Sequence, residues 1–187
     1  MERRRLLLGV VCAAIAQGAR AERDQLWSAL QAGGIAVLLR HAQTEPGTGD
    51  PPGFRLGDCA TQRNLSEEGR RQSARIGEAL AARGVRVQQV LSSEWCRCLD
   101  TARLAFPRVG VERFAALNSF FDDRSTEPAQ TRAALARILA IEPPANVVFV
   151  THHVNIAALT GTAVGAGEAV LVRPLRGKLQ VVGRLAL

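Results

Sequence analysis

Apolar positions along the chain recur with two periods, and the alternation between them predicts the order of elements. Residues 22–32 carry Leu26, Trp27 and Leu30 at helical spacing and end at Gly33-Gly34. Residues 35–39 follow as an unbroken apolar run, the pattern of a strand buried on both faces. A second helix opens at Asn64 or Ser66, with Glu67 and Glu68 in its first turn and Ile76, Ala79 and Leu80 facing inward, and Gly84 stops it. Further strands are expected at 85–91, at 109–117 and at 147–151. A strand-to-helix junction spans 92–102, a helix fills 128–141 ahead of Pro143-Pro144, and another runs from His152 through Leu159. The tail alternates at 169–173 and 179–187 around Arg176-Gly177, which reads as a hairpin. Strands separated by helices predict a single α/β domain around a mostly parallel sheet.

Chemistry concentrates at the ends of two of these strands. The first apolar run delivers Arg40 and His41, and the run at 147–151 delivers His152 and His153, so strand ends account for all three histidines of the chain. Open α/β sheets bind ligands beyond the carboxyl ends of their strands, and imidazole serves there as nucleophile or as acid and base. Arg97 lies in the first turns of the helix after Ser92-Ser93, where free backbone N–H groups and a guanidinium suit a phosphate. The stretch 44–64 holds Pro46, Gly47, Gly49, Pro51, Pro52, Gly53 and Gly57, a loop long enough to suggest function rather than connection.

The first residues belong outside this plan. Glu2-Arg3-Arg4-Arg5 precedes an apolar run from Leu6 to Ala16, and Ala19-Arg20-Ala21 has the small-x-small form of a signal-peptidase site. Residues 1–21 are therefore expected to be a cleaved signal peptide, with the domain at 22–187 and the mature protein exported, periplasmic or secreted. The apolar run is too short to span a bilayer, so no stable membrane span is expected after cleavage. The formal charge of the 187 residues is +7; cleavage removes four arginines and one glutamate and leaves +4. With Lys178 the single lysine and no basic run beyond Arg70-Arg71, a nucleic-acid partner is excluded, and arginine paired with phosphate fits better. Nothing in the sequence sets an oligomeric state.

Cys12 leaves with the signal, and Cys59, Cys96 and Cys98 remain. Cys96-x-Cys98 lacks the spacing of a zinc or thioredoxin-like motif. In an oxidising compartment a disulfide from Cys59 to Cys96 or Cys98 is expected, Cys96 being the preferred partner, with one thiol left over.

Arg40-His41-Ala42 resembles the Arg-His-Gly signature of the histidine phosphatase superfamily, the phosphoglycerate-mutase-like fold. Asn64-Leu65-Ser66 with Gly69, Ser92-Ser93 through Arg97 to Thr101-Ala102, and Thr151-His152 agree with that family in order and spacing. The resemblance implies a three-layer αβα sandwich, no cofactor, and hydrolysis of a phosphomonoester through a phosphohistidine on His41. Arg40, Arg97 and His152 then bind the phosphoryl group and compensate its charge, with Thr44 as a further phosphate-binding candidate; Arg63, Ser93 and Asn155 are weighed as pocket residues. The implied partner is a phosphorylated small molecule or an envelope glycan.

The chain departs from the family at the proton donor. Ser119 stands where one branch has a glutamate, and His153 where another has an aspartate. Asp122 and Asp123 are the candidates to fill that role, ahead of Glu45 and Glu127. A substrate whose leaving group needs no acid, such as phosphohistidine in a protein, is the alternative; a phosphate-binding sensor without catalysis is another, although binding alone would not require His41. The three histidines with Asp122 or Asp123 also form a conceivable metal set, but two arginines beside them oppose a cation, so no metal is expected.

Overall fold

The computed structural model describes residue 18 and residues 20–187, so most of the leader expected at 1–21 lies outside the described residues. Helix α1 covers residues 20–32. The remaining elements are β1 (Ala36–Arg40), α2 (Glu67–Ala82), β2 (Gln89–Ser92), α3 (Cys96–Ala105), β3 (Val111–Arg113), α4 (Glu127–Leu139), β4 (Val147–Thr151), α5 (His153–Thr160), β5 (Glu168–Leu175) and β6 (Lys178–Ala186). Among the described residues no helix is long and apolar enough to cross a membrane.

Six strands form one sheet in the order β3-β2-β4-β1-β5-β6. The first four run parallel, and β5 and β6 add an antiparallel hairpin at one edge. Because β1 is central, successive side chains bury on opposite faces. Val37 and Leu39 pack with Leu26 and Leu30 of α1, Ile76 and Leu80 of α2 and Cys98 and Ala102 of α3. Ala36 and Leu38 pack on the other side with Ala134 and Ile138 of α4 and Ile156 of α5. Two cores on two sheet faces make the three-layer αβα sandwich that the alternating pattern and the family resemblance implied.

Two strands are shorter than their apolar patterns. The run at 85–91 yields a strand only from Gln89, because its neighbour β4 begins at Val147, just after Pro143-Pro144, and Gln89 is the residue that pairs with Val147. The stretch before it is held irregularly, with Asn146 Nδ2 donating to the carbonyl of Arg86 at 3.0 Å. Of the run at 109–117, only Val111–Arg113 pairs with β2, and Ala115–Leu117 turns into a short 3-10 helix. The edge strand stops where β2 itself stops, at Ser92.

The long loop is stapled to the fold. A disulfide joins Cys59 to Cys96 at the start of α3, and Cys98 is left as a buried free thiol. At its far end Ser66 caps α2 by accepting from the N–H of Gly69 at 3.1 Å. The first turn of α2 lies against the backbone after His41; a Cβ on Gly69 would stand 1.8 Å from the carbonyl oxygen of Gln43. Gly69→Ala is therefore expected to cost about 3 kcal/mol, the upper end of overpacking penalties. Urea unfolding measures it, and an unchanged midpoint would show that the contact is slack.

Candidate active site

The sheet register assembles the site. Arg40 of β1 is paired with Thr151 of β4, and the N–H of His41 donates to the carbonyl of Thr151 at 3.0 Å. His41 and His152, the residues that follow, consequently leave the sheet side by side, their rings 5.3 Å apart in an edge-to-face arrangement. On the other flank of β4, the N–H of Ser93 donates to Val150 at 2.9 Å, which starts the turn into α3 and brings Trp95 and Arg97 to the same edge. Thr101 locks this helix onto the end of β1: its Oγ1 accepts from the N–H of Ala42 at 3.0 Å and donates to the carbonyl of Arg97 at 2.7 Å.

Arg40, His41, Trp95, Arg97 and His152 line a cavity of about 340 Å³ together with Gly47, Thr48, Gly49, Asp50 and Arg63 from the long loop and Ser119, Phe121, Asp122 and His153. His41 Nδ1 lies 2.9 Å from the carbonyl oxygen of Ala42. A carbonyl can only accept, so Nδ1 carries the proton and Nε2 keeps its lone pair. His152 is oriented by Ser93, whose Oγ lies 2.9 Å from Nε2 and donates to Asn118 Oδ1 at 3.1 Å. Arg40 is fixed by one bond from Nη1 to the carbonyl of Val164 at 2.9 Å. The Nε atoms of Arg40, Arg63 and Arg97 are all buried without an acceptor, and all three residues line the one cavity. Such an arrangement is costly unless an anion supplies the missing acceptors.

A family model, histidine phosphatase superfamily (branch 1), matches residues 36–118, the span from β1 through Arg97 to Asn118. Over that span the chain is similar to the histidine phosphatase superfamily. Among solved structures, the protein histidine phosphatase SixA complexed with tungstate is 16% identical with a TM-score of 0.60, covering 81% of this chain and 96% of its own. A mycobacterial glucosyl-3-phosphoglycerate phosphatase complexed with VO3 is 20% identical with a TM-score of 0.59, covering 79% and 96%. YhfR of Bacillus stearothermophilus is 15% identical at 0.59, covering 80% and 95%. These likenesses concern the fold. No curated protein matches the chain in sequence.

The electrostatics of the site follow from burial. His41 is pushed down to about 3, first by desolvation and then by the charge of Arg97. His152 is held well below its ordinary value by the same desolvation, with His41 and Arg97 adding to it. Both imidazoles are thus neutral at pH 7. His153, exposed beside the ring of Phe121 at 5.8 Å, is lowered less, by partial desolvation and by Arg40. Burial pushes the Cys98 thiol up to about 12, so the sulfur 3.5 Å from His152 Nε2 packs rather than reacts.

The structure brings together His41, Arg40, Arg97 and His152, the set singled out in the sequence, and places Arg63, weighed there as a pocket residue, on the same wall. It does not bring in all the others. Thr44 bridges Leu65 in an isolated β-pair and is absent from the cavity wall, since the chain has already turned toward α2. Asp122 lines the cavity, whereas Asp123 is turned away: its Oδ1 accepts from the N–H of Ser125 at 3.0 Å and caps a short 3-10 helix. Glu127 pairs with Arg124 at 3.0 Å, and Glu45 is likewise missing from the wall. Ser93 and Asn155 act from behind, Asn155 Nδ2 donating to the carbonyl of Asn118 at 2.9 Å. Asp50, which carried no signal in the sequence, is the cavity's buried carboxylate. No cluster of potential metal ligands occurs among the described residues.

The lowered pKa of His41 makes a stability prediction. The unfolded chain binds a proton near pH 6.5 and the folded one near 3, so the folded state loses stability as pH falls through that interval. His41→Asn should flatten the fall between pH 6.5 and 4 by up to about 1.4 kcal/mol per pH unit. Denaturant titrations at each pH check it, and parallel slopes for the two proteins would contradict it.

Proposed function

We propose that this protein is a metal-independent phosphatase that hydrolyses a phosphomonoester through a phosphohistidine on His41. The observation that carries the reading is a neutral imidazole with Nε2 unprotonated, set among three guanidiniums whose buried Nε atoms have no acceptor. Nε2 attacks phosphorus, the bond to the leaving-group oxygen breaks, and that oxygen takes a proton. Water then attacks the phosphohistidine, the P–N bond returns its electrons to Nε2, and inorganic phosphate departs with neutral His41 restored. Arg40 and Arg97 compensate the charge of the transferring group beside the neutral imidazole of His152, and the backbone carbonyl of Ala42 keeps the Nδ1 proton in place throughout.

Asp122 is the residue we assign to proton donation, because it is the carboxyl on the wall not already held by an arginine. It is an exposed group rather than a buried acid, and this favours substrates with undemanding leaving groups. Phosphohistidine in a protein is thus the second reading. An envelope sugar phosphate fits the compartment: the basic-then-apolar leader at 1–21 and the Cys59–Cys96 disulfide both support export to an oxidising space, periplasmic or extracellular.

A substrate panel of phosphoramidate, aryl and alkyl phosphates tests the reading. Arg97→Ala should lower kcat/KM by about 100- to 1000-fold, as loss of an oxyanion donor does. Asp122→Asn should slow alkyl more than aryl phosphates, and equal losses would remove Asp122 as the donor. Phosphoramidate turned over well ahead of aryl phosphates would favour the second reading, and undiminished turnover by Arg97→Ala would reject the site.

A further inference from the structure

The phosphoryl reading leaves one buried carboxylate without a task. Asp50, on the loop at 44–64, sets both of its oxygens against a single nitrogen of Arg97, with Nη1 donating at 2.9 and 3.0 Å. The side chains are 3% and 5% exposed. Trp95 Nε1 donates to Oδ2 at 3.1 Å and the backbone N–H of Arg63 to Oδ1 at 2.9 Å. Burial works to raise the pKa of this carboxyl, but the bond from Arg97, aided by the backbone N–H of Arg63 and by Trp95, prevails and holds it below the usual carboxylate range. A carboxylate held ionised in this way has no proton to give a leaving group.

Its geometry suits another role. A guanidinium offers its donors along edges, and two parallel N–H groups on one edge match an oxyanion. With Nη1 engaged by Asp50, the edge of Arg97 that bears Nε is the one left, and that Nε is buried without an acceptor. Arg40 repeats the pattern from the other side, tied by Nη1 to Val164 with its own Nε unpartnered. The loop that carries Asp50 is itself fastened to the same helix start. Cys59 is bonded to Cys96, and Gln62 Oε1 accepts from the N–H of Cys96 at 3.0 Å, so three consecutive residues, Trp95, Cys96 and Arg97, are gripped by one loop.

We propose that Asp50 is a positioning residue of the phosphoryl site, clamping Arg97 through Nη1 so that its Nε edge faces the tetrahedral oxyanion. The inference rests on the phosphatase reading for its consequence in turnover, and on the anion site alone for its consequence in binding. The loop at 44–64 is then a fixed wall that completes the site, and Asp50 acts on substrate only through Arg97.

A double-mutant cycle tests it with wild type, D50A, R97A and the double variant, with D50N alongside. Two quantities are read: the affinity for inorganic phosphate by calorimetry, and kcat/KM for p-nitrophenyl phosphate. D50A should weaken phosphate at least fivefold and kcat/KM at least tenfold, while adding D50A to R97A should change either by less than twofold. D50N keeps an acceptor for Nη1 and should fall between wild type and D50A. Losses that multiply across the cycle, or a D50A protein equal to wild type, overturn the proposal. If D50A does not fold, the same non-additivity is required of D50N with R97A. A wild type that shows the coupling in phosphate affinity yet never turns over would reject the phosphatase reading and leave the Asp50 assignment standing.

Discussion

The pairing of β1 with β4 is the constraint on which the rest of the structure depends. Parallel strands in the register that sets Arg40 beside Thr151 force the next residue of each, His41 and His152, into neighbouring positions beyond the sheet. Both strands are buried on both faces, so a slip of one residue would turn the apolar set of each toward the wrong core. The site thereby inherits its precision from hydrophobic packing. Helices α2 and α3 only add to it: α2 by crowding Gly69 onto Gln43, and α3 by bonding Thr101 to Ala42.

Burial also decides the protonation states. Guanidiniums cannot shed their protons when desolvated, whereas imidazoles can, so the same dry pocket holds fixed positive charge beside neutral nucleophilic nitrogen. Three buried guanidiniums repel one another, and Asp50 offsets one of those charges internally. The remaining excess is suited to a phosphoryl dianion and unsuited to a metal cation. The excess of positive charge and the neutral imidazole of His41 therefore share one cause.

Much of this was legible in the sequence because the decisive elements are continuous. Two apolar runs ended in histidine, and a strand-to-helix turn carried Arg97; each signal lies within a dozen residues. Asp50 was not legible, since its partner is 47 residues away and a loop rich in glycine and proline has no period to read. Asp122 and Asp123 looked equivalent until a backbone N–H at Ser125 captured one of them. Strand lengths were overread at 85–91 and 109–117 because a strand lasts only as long as its neighbour, and the neighbour's start was fixed by prolines elsewhere in the chain.

The central claim is that phosphorus is transferred to a nitrogen of His41. Rapid alkaline quench after mixing the protein with phosphorus-labelled substrate, followed by peptide mapping at alkaline pH, measures this directly. The account predicts a label that is lost in acid, survives in alkali, maps to the peptide carrying His41 and is absent from His41→Ala. Label on any other residue, or turnover that never passes through a labelled protein, would contradict it.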